Sequence, residues 1–243
     1  VAALVAGHGS AKNPGARQPI CAAVQSLRAS GLFAEVRCAL WKESPFWAGA
    51  LDRFATPRVV VLPYFMAAGY YTDVVLPREL DVDRSERAVR LAPPLGTDPR
   101  LGEVVLDRAR AAGFDGSQAL AVLGHGTERN PASARTTFDR VRELQARAVA
   151  PEVFPVFIDQ EPRVTRIFDL TPAREIVLVP YFAADGWHVT ETLPADLGLQ
   201  AGSCTRGERS LRVAAAVGSA PEVLPVLLDL ARRAAGPWWN GGA

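Results

Sequence analysis

The 243-residue chain contains three histidines, and two of them sit between glycines in near-identical octapeptides: GHGSAKNP around His8 and GHGTERNP around His125. Imidazole, with an ordinary pKa of about 6.5, accepts a proton at neutral pH or offers a lone pair to a transition-metal ion. The third, His188, lies in GWHVTETLP, 63 residues after His125, and at the same distance from His8 stands Tyr71, in GYYTDVVLP. A phenol, with a pKa of about 10, does neither job readily. If one half supports chemistry it is therefore the second, with His125 and His188 as proton acceptors and metal ligands. Closed structural zinc sites take about four protein ligands, so two imidazoles alone make an open site, suited to handing an ion on. Glu191, three residues after His188, would share its face on an α-helix and is the candidate third ligand. Glu161, ahead of Pro162, is a further carboxylate within reach of the same loops.

Chemistry of this kind needs elements that carry both loops to one place. The offset between the octapeptides, 117 residues, recurs between VLPYFMAAGYYTDVVLP and LVPYFAADGWHVTETLP, from Pro63 to Pro180 and from Pro77 to Pro194. Such a fixed register marks an internal duplication. Short, continuously apolar runs predict strands near 1–7, 35–41, 58–62 and 88–92, then near 118–124, 152–158, 175–179 and 210–215. Amphipathic stretches predict helices near 14–29, 46–55, 70–80 and 98–112, and near 131–148, 162–170, 187–197 and 220–235. Apolar strands alternating with helices indicate an α/β fold whose mostly parallel sheets, four-stranded in each half, are covered on both faces. The turn-rich AAGFDGSQ places the boundary between a first domain, 1–115, and a second, 116–243. Late in the repeat the offset grows to 122, from Gly96 to Gly218, and the added residues fall in GLQAGSCTRGER, which reads as a surface loop. Both GHG loops follow a strand and precede a helix, where open parallel sheets bind ligands. Asn13 and Asn130, each ahead of proline, are the expected helix caps.

Several function classes are excluded. GHGSAK lacks the third glycine of a dinucleotide loop, and neither copy carries GxxxxGK[ST] or GxSxG. A formal net charge of +1 argues against a nucleic-acid partner, and no apolar run approaches the length of a membrane span. The opening VAALVA reads as a buried strand rather than a signal peptide. Cys21, Cys38 and Cys204 form no CxxC pair and read as free thiols in a reducing compartment, which suggests a soluble cytoplasmic protein. An opening without methionine and a close in PWWNGGA read as a trimmed form of something longer, with room for a further domain.

The strand-GHGS opening, the VLPYFMAAGYYTDVVLP block and the APPLGTDPRL segment together resemble the sirohydrochlorin cobaltochelatases of cobalamin biosynthesis. These belong to the class II, ATP-independent tetrapyrrole chelatases, with ferrochelatase as a distant relative. The resemblance spans nearly the whole chain, once per half. It implies two Rossmann-like domains facing each other across a cleft that holds the macrocycle. It further implies that His125 and His188 bind the incoming divalent ion and assist pyrrole deprotonation, while the His8/Tyr71 half lines the substrate. The ion would be Co²⁺, or else Fe²⁺ or Ni²⁺, as a substrate, with no organic cofactor. Because sirohydrochlorin is a polycarboxylate, cations should rim its site, and the matched Lys12 and Arg129 are the candidates. Matched Tyr70 and Trp187 could pack on the flat ring or in the core. Two other readings compete: a non-catalytic tetrapyrrole- or metal-binding protein on this scaffold, and an unrelated α/β enzyme whose GHG loops bind an anion.

Overall fold

A computed structural model describes residues 1–11, 13–128 and 132–239. In each half the most apolar run becomes the central strand. β1 (Ala2–Gly7) lies between β2 (Glu35–Leu40) and β3 (Arg58–Pro63), and β4 (Ala88–Leu91) pairs with β3, all parallel, in the order β2-β1-β3-β4. The second sheet repeats this with β5 (Ala119–Gly124) between β6 (Val153–Phe157) and β7 (Glu175–Pro180). β9 (Arg209–Val213) then pairs parallel with β7. The second sheet has a fifth member: β8 (Ser203–Arg206) runs antiparallel to β9 at the edge. The segment expected to be a surface loop thus folds back as a hairpin, because TRGER offers β-compatible residues around Gly207, whose φ is +63°.

The order of strands across each sheet reverses at the first strand, β1 or β5, so the loops leaving β1, β2 and β3 lie at one sheet edge, as do those leaving β5, β6 and β7. Apolar spacing explains the covering helices. α1 (Gln18–Ala29) buries Ile20, Ala23, Val24 and Leu27, an i, i+3, i+4, i+7 stripe. The other longer helices are α3 (Leu101–Ala111), α4 (Ala132–Ala146) and α6 (Val223–Ala235). The expected helices at 46–55 and 162–170 are instead short 3-10 turns, at Leu51–Arg53 and Val164–Asp169. Trp47, Ala50, Leu51 and Phe54 keep helix-like spacing, but tight turns with amide-to-carbonyl bonds three residues back (Ala50 to Trp47, Phe54 to Leu51) satisfy it equally.

The stretches expected as helices at 70–80 and 187–197 begin as single π turns, Tyr71–Val75 and His188–Thr192. Each passes into a short α-helix, α2 (Leu76–Glu79) and α5 (Leu193–Leu197). The cause is the LP dipeptide. Pro77 and Pro194 have no N–H to give, and in a continuous α-helix their rings would press on the carbonyl four residues back. The wider turn, with the Leu76 amide donating to Tyr71 and Leu193 to His188, avoids that clash.

The compact units are residues 1–98 with 221–243, and residues 99–220, whereas the sequence repeat turns over near 115. The difference is one helix in each direction. α6, from the second repeat, packs on β3, β4 and α1, and is fastened by Arg233 to Asp98 at 2.6 Å and by Arg90 Nη1 to the Ala235 carbonyl at 2.7 Å. α3, from the first repeat, packs on β7 and α4, with Arg147 reaching Glu103 at 2.6 Å.

Candidate metal-handling site

The tight turn after β5 requires Gly126 at φ +67°, and this carries His125 out of the sheet into solvent. A Cβ at Gly126 would also strike the Gln160 side chain at 2.5 Å. Gln160 has a job there: its Oε1 accepts from the Thr127 amide at 2.9 Å, tying the loop after β6 to the GHG loop. The His125 ring places Nδ1 3.0 Å from the Gly126 carbonyl. A carbonyl can only accept, so Nδ1 carries the proton and Nε2 keeps its lone pair. His188, at the start of the π turn after β7, brings its ring to 4.9 Å from that of His125, centroid to centroid, edge to face. Its Nδ1 lies 3.3 Å from Thr192 Oγ1 and its ring 6.2 Å from that of Phe182. Asp159, on the loop after β6, places Oδ2 3.5 Å from His125 Nδ1.

Half-burial pushes the His188 pKa below its ordinary value, and the neighbouring His125 pushes the same way against the weaker pull of Asp159. The imidazole therefore stays neutral, able to accept a proton or donate a lone pair, at neutral pH. The structure does not bring Glu191 to this pair as a third ligand. It is exposed, and among the described residues no three His, Cys, Asp or Glu side chains are grouped to hold a metal ion. The expected i, i+3 relation to His188 presumed an α-helix; in the wider π turn the residue four on, Thr192, is the nearer neighbour. Glu161 turns instead to Arg163, accepting from its amide at 3.0 Å.

The first unit repeats the backbone with different side chains. His8 Nδ1 lies 2.8 Å from the Gly9 carbonyl, and the Ser10 amide donates to Glu43 Oε1 at 2.8 Å, as Thr127 does to Gln160. Around His8, however, are aromatic rings: Trp41 at 5.3 Å and Tyr71 at 6.2 Å, with Trp41 and Tyr71 4.9 Å apart. Lys42 lays its ammonium 3.5 Å from the centre of the Trp41 ring. Tyr70 and Trp187 are exposed rather than in the core, at 55% and 56%. Asn13 caps the turn that follows, accepting from the Gly15 amide at 2.9 Å. Lys12, Arg129 and Asn130 lie outside the described residues. Sequence reasoning missed Trp41, Lys42, Glu43, Asp159 and Gln160. The signal for them was positional only: the 117-residue offset pairs Lys42 with Asp159 and Glu43 with Gln160, on the loops next to the GHG turns.

The duplicated, mostly parallel α/β architecture matches the two-domain chelatase fold. The chain belongs to the CbiX family, whose model matches it twice, over residues 2–112 and 119–234. It is 34% identical over 221 residues to a probable sirohydrochlorin cobaltochelatase of Halobacterium salinarum, covering 80% of this chain and 76% of that one. Among solved structures, a multi-domain protein of Deinococcus radiodurans, described as similar to chelatases with two additional novel domains, matches with a TM-score of 0.77 and 25% identity. That match covers 96% of this chain, which spans 54% of the length of the Deinococcus protein. A CbiX structure, described as the terminal enzyme of siroheme biosynthesis in denitrifying bacteria, matches with a TM-score of 0.72 and 28% identity over 96% and 99% of the two chains.

Proposed function

We propose that the protein inserts a divalent metal ion into sirohydrochlorin without ATP, with Co²⁺ as its first substrate ion and cobalamin biosynthesis as its setting. The observation that carries this is the His125–His188 pair, two imidazoles 4.9 Å apart on separate loops of one unit. Insertion into a free-base tetrapyrrole needs two pyrrole protons removed and a partly desolvated ion delivered. Imidazoles serve both needs, as bases and as temporary ligands. With Nδ1 of His125 occupied by the Gly126 carbonyl, Nε2 is the atom that binds or accepts. An incomplete protein ligand set favours release, since tight binding of the free ion would oppose its transfer. In this reading His8 and Tyr71 contact the macrocycle, as would Lys12 and Arg129. Imidazole does not discriminate strongly among Co²⁺, Fe²⁺ and Ni²⁺; Co²⁺ is placed first because the Halobacterium relative is named a cobaltochelatase.

The test is the change in sirohydrochlorin absorbance on mixing with each ion. Wild-type protein should accelerate Co²⁺ insertion above the spontaneous rate, and His125→Ala and His188→Ala should each lose about 10²–10⁴-fold. An unchanged rate in both variants would remove the catalytic assignment. Macrocycle binding without insertion by the wild type would support a carrier instead.

A further inference from the structure

The two π turns match in position, 117 residues apart, and two of their differences belong together. His188 and Thr192 of the second stand where the first has Tyr71 and Val75. Valine and threonine have nearly the same shape, so the exchange at the later position amounts to a hydroxyl. In the first unit Val75 is buried at 2% in the apolar core, while the Tyr71 ring turns to Trp41 and His8. In the second, Thr192 is only partly buried, and its Oγ1 lies 3.3 Å from Nδ1 of His188. Branching at Cβ restricts rotation of the threonine side chain and keeps the hydroxyl in place. The hydroxyl thus occurs in the turn whose ring is an imidazole.

Resting on the chelatase reading, in which His188 holds the ion, we propose that Thr192 is a positioning residue for that ring. Its oxygen accepts from Nδ1–H and so leaves the lone pair on Nε2 for the metal. A neutral imidazole carries one ring proton, and the partner of one nitrogen decides which atom holds it. A hydroxyl oxygen accepts as readily as it donates, and partial exposure lets its own hydrogen turn to solvent. His125 reaches the same state by another route, through the Gly126 carbonyl 3.0 Å from its Nδ1. Both rings then present Nε2, and the ion meets two lone pairs instead of one lone pair and one N–H. A carboxylate in this place would also raise the basicity of the ring. The uncharged hydroxyl orients His188 without tightening its grip, which suits an ion that must be released.

The test compares the whole chain with Thr192→Val, which copies the residue of the first unit, and with Thr192→Ser, which keeps the hydroxyl. Ring ¹H–¹⁵N correlations are recorded on metal-free protein at about pH 8, where imidazole is neutral. The His188 signals are assigned by their loss in His188→Gln. They should show the Nδ1–H form in the wild type and in Thr192→Ser, and a shift toward Nε2–H in Thr192→Val. Co²⁺ binding, followed by its visible absorption, should weaken by about 10–100-fold in Thr192→Val and recover in Thr192→Ser. A wild-type His188 in the Nε2–H form overturns the proposal, as does a Thr192→Val chain whose ring and Co²⁺ affinity match the wild type. Equal losses in both variants also overturn it, because the methyl group rather than the hydroxyl would then be responsible. None of these readouts needs a tetrapyrrole. A wild type that gives the expected ring form and Co²⁺ binding yet inserts nothing removes the chelatase reading alone, and insertion by a chain with His188 in the Nε2–H form removes the role of Thr192 alone.

Discussion

His188 is half-buried, and its lowered pKa has two consequences of determined sign. The neutral ring is the working form, and protonation of this ring, followed by its own NMR signals, should occur below the ordinary imidazole value of about 6.5. The unfolded chain takes up this proton first as pH falls, so stability should decline through that range. His188→Gln should flatten part of the decline, measured as denaturation midpoints at pH 7 and pH 5. All three histidines were legible because the repeat made them comparable: a His/His half beside a His/Tyr half. Asp159 was not, since its counterpart is a lysine and repeat-matching sees identity rather than opposition. The placement of Glu191 depends on helix type, which the sequence signals only through a proline six residues after His188.

Among the elements, the π turns do the positioning. Pro194→Ala would restore the missing amide and remove the ring that opposes regular winding. The variant should gain helicity by circular dichroism, hold or raise its melting temperature, and lose metal insertion several-fold as His188 rotates away from His125. Gly218 bears on the same loop from the other side. A Cβ there would lie 2.4 Å from the Ala183 carbonyl, a backbone atom with little room to yield, and the Gly218 amide donates to Phe182 at 2.8 Å. Gly218→Ala should cost about 1–3 kcal/mol, read from the urea midpoint. The parallel strands were readable to within a residue or two, the inner ones because continuous apolar runs buried on both faces leave few alternatives, whereas the exposed edge strand β8 was not. The 3-10 segments were not, since Val164, Ile167 and Phe168 satisfy the spacing of a helix without forming one.

For the whole molecule, duplication was plain from the 117-residue offset, but the exchange of α3 and α6 was hidden. Both helices bury an apolar stripe, Leu101, Val104 and Val105 in one and Val223, Val226 and Leu227 in the other, and pattern alone does not say which sheet each covers. Asp98 decides part of it: its carboxylate is 2% exposed and meets Arg233 of α6. Removing that carboxylate by Asp98→Ala should destabilise the chain by about 1–3 kcal/mol and raise hydrogen exchange in β3 before β7.

The crossing of those two helices bears on how such a gene could have doubled. A single ancestral repeat would have closed its own sheet only by borrowing a helix from a twin and lending one in return, which is the arithmetic of a swapped homodimer. Two polypeptides made by cutting this chain at the repeat junction should accordingly be poor folders apart and reconstitute when expressed together.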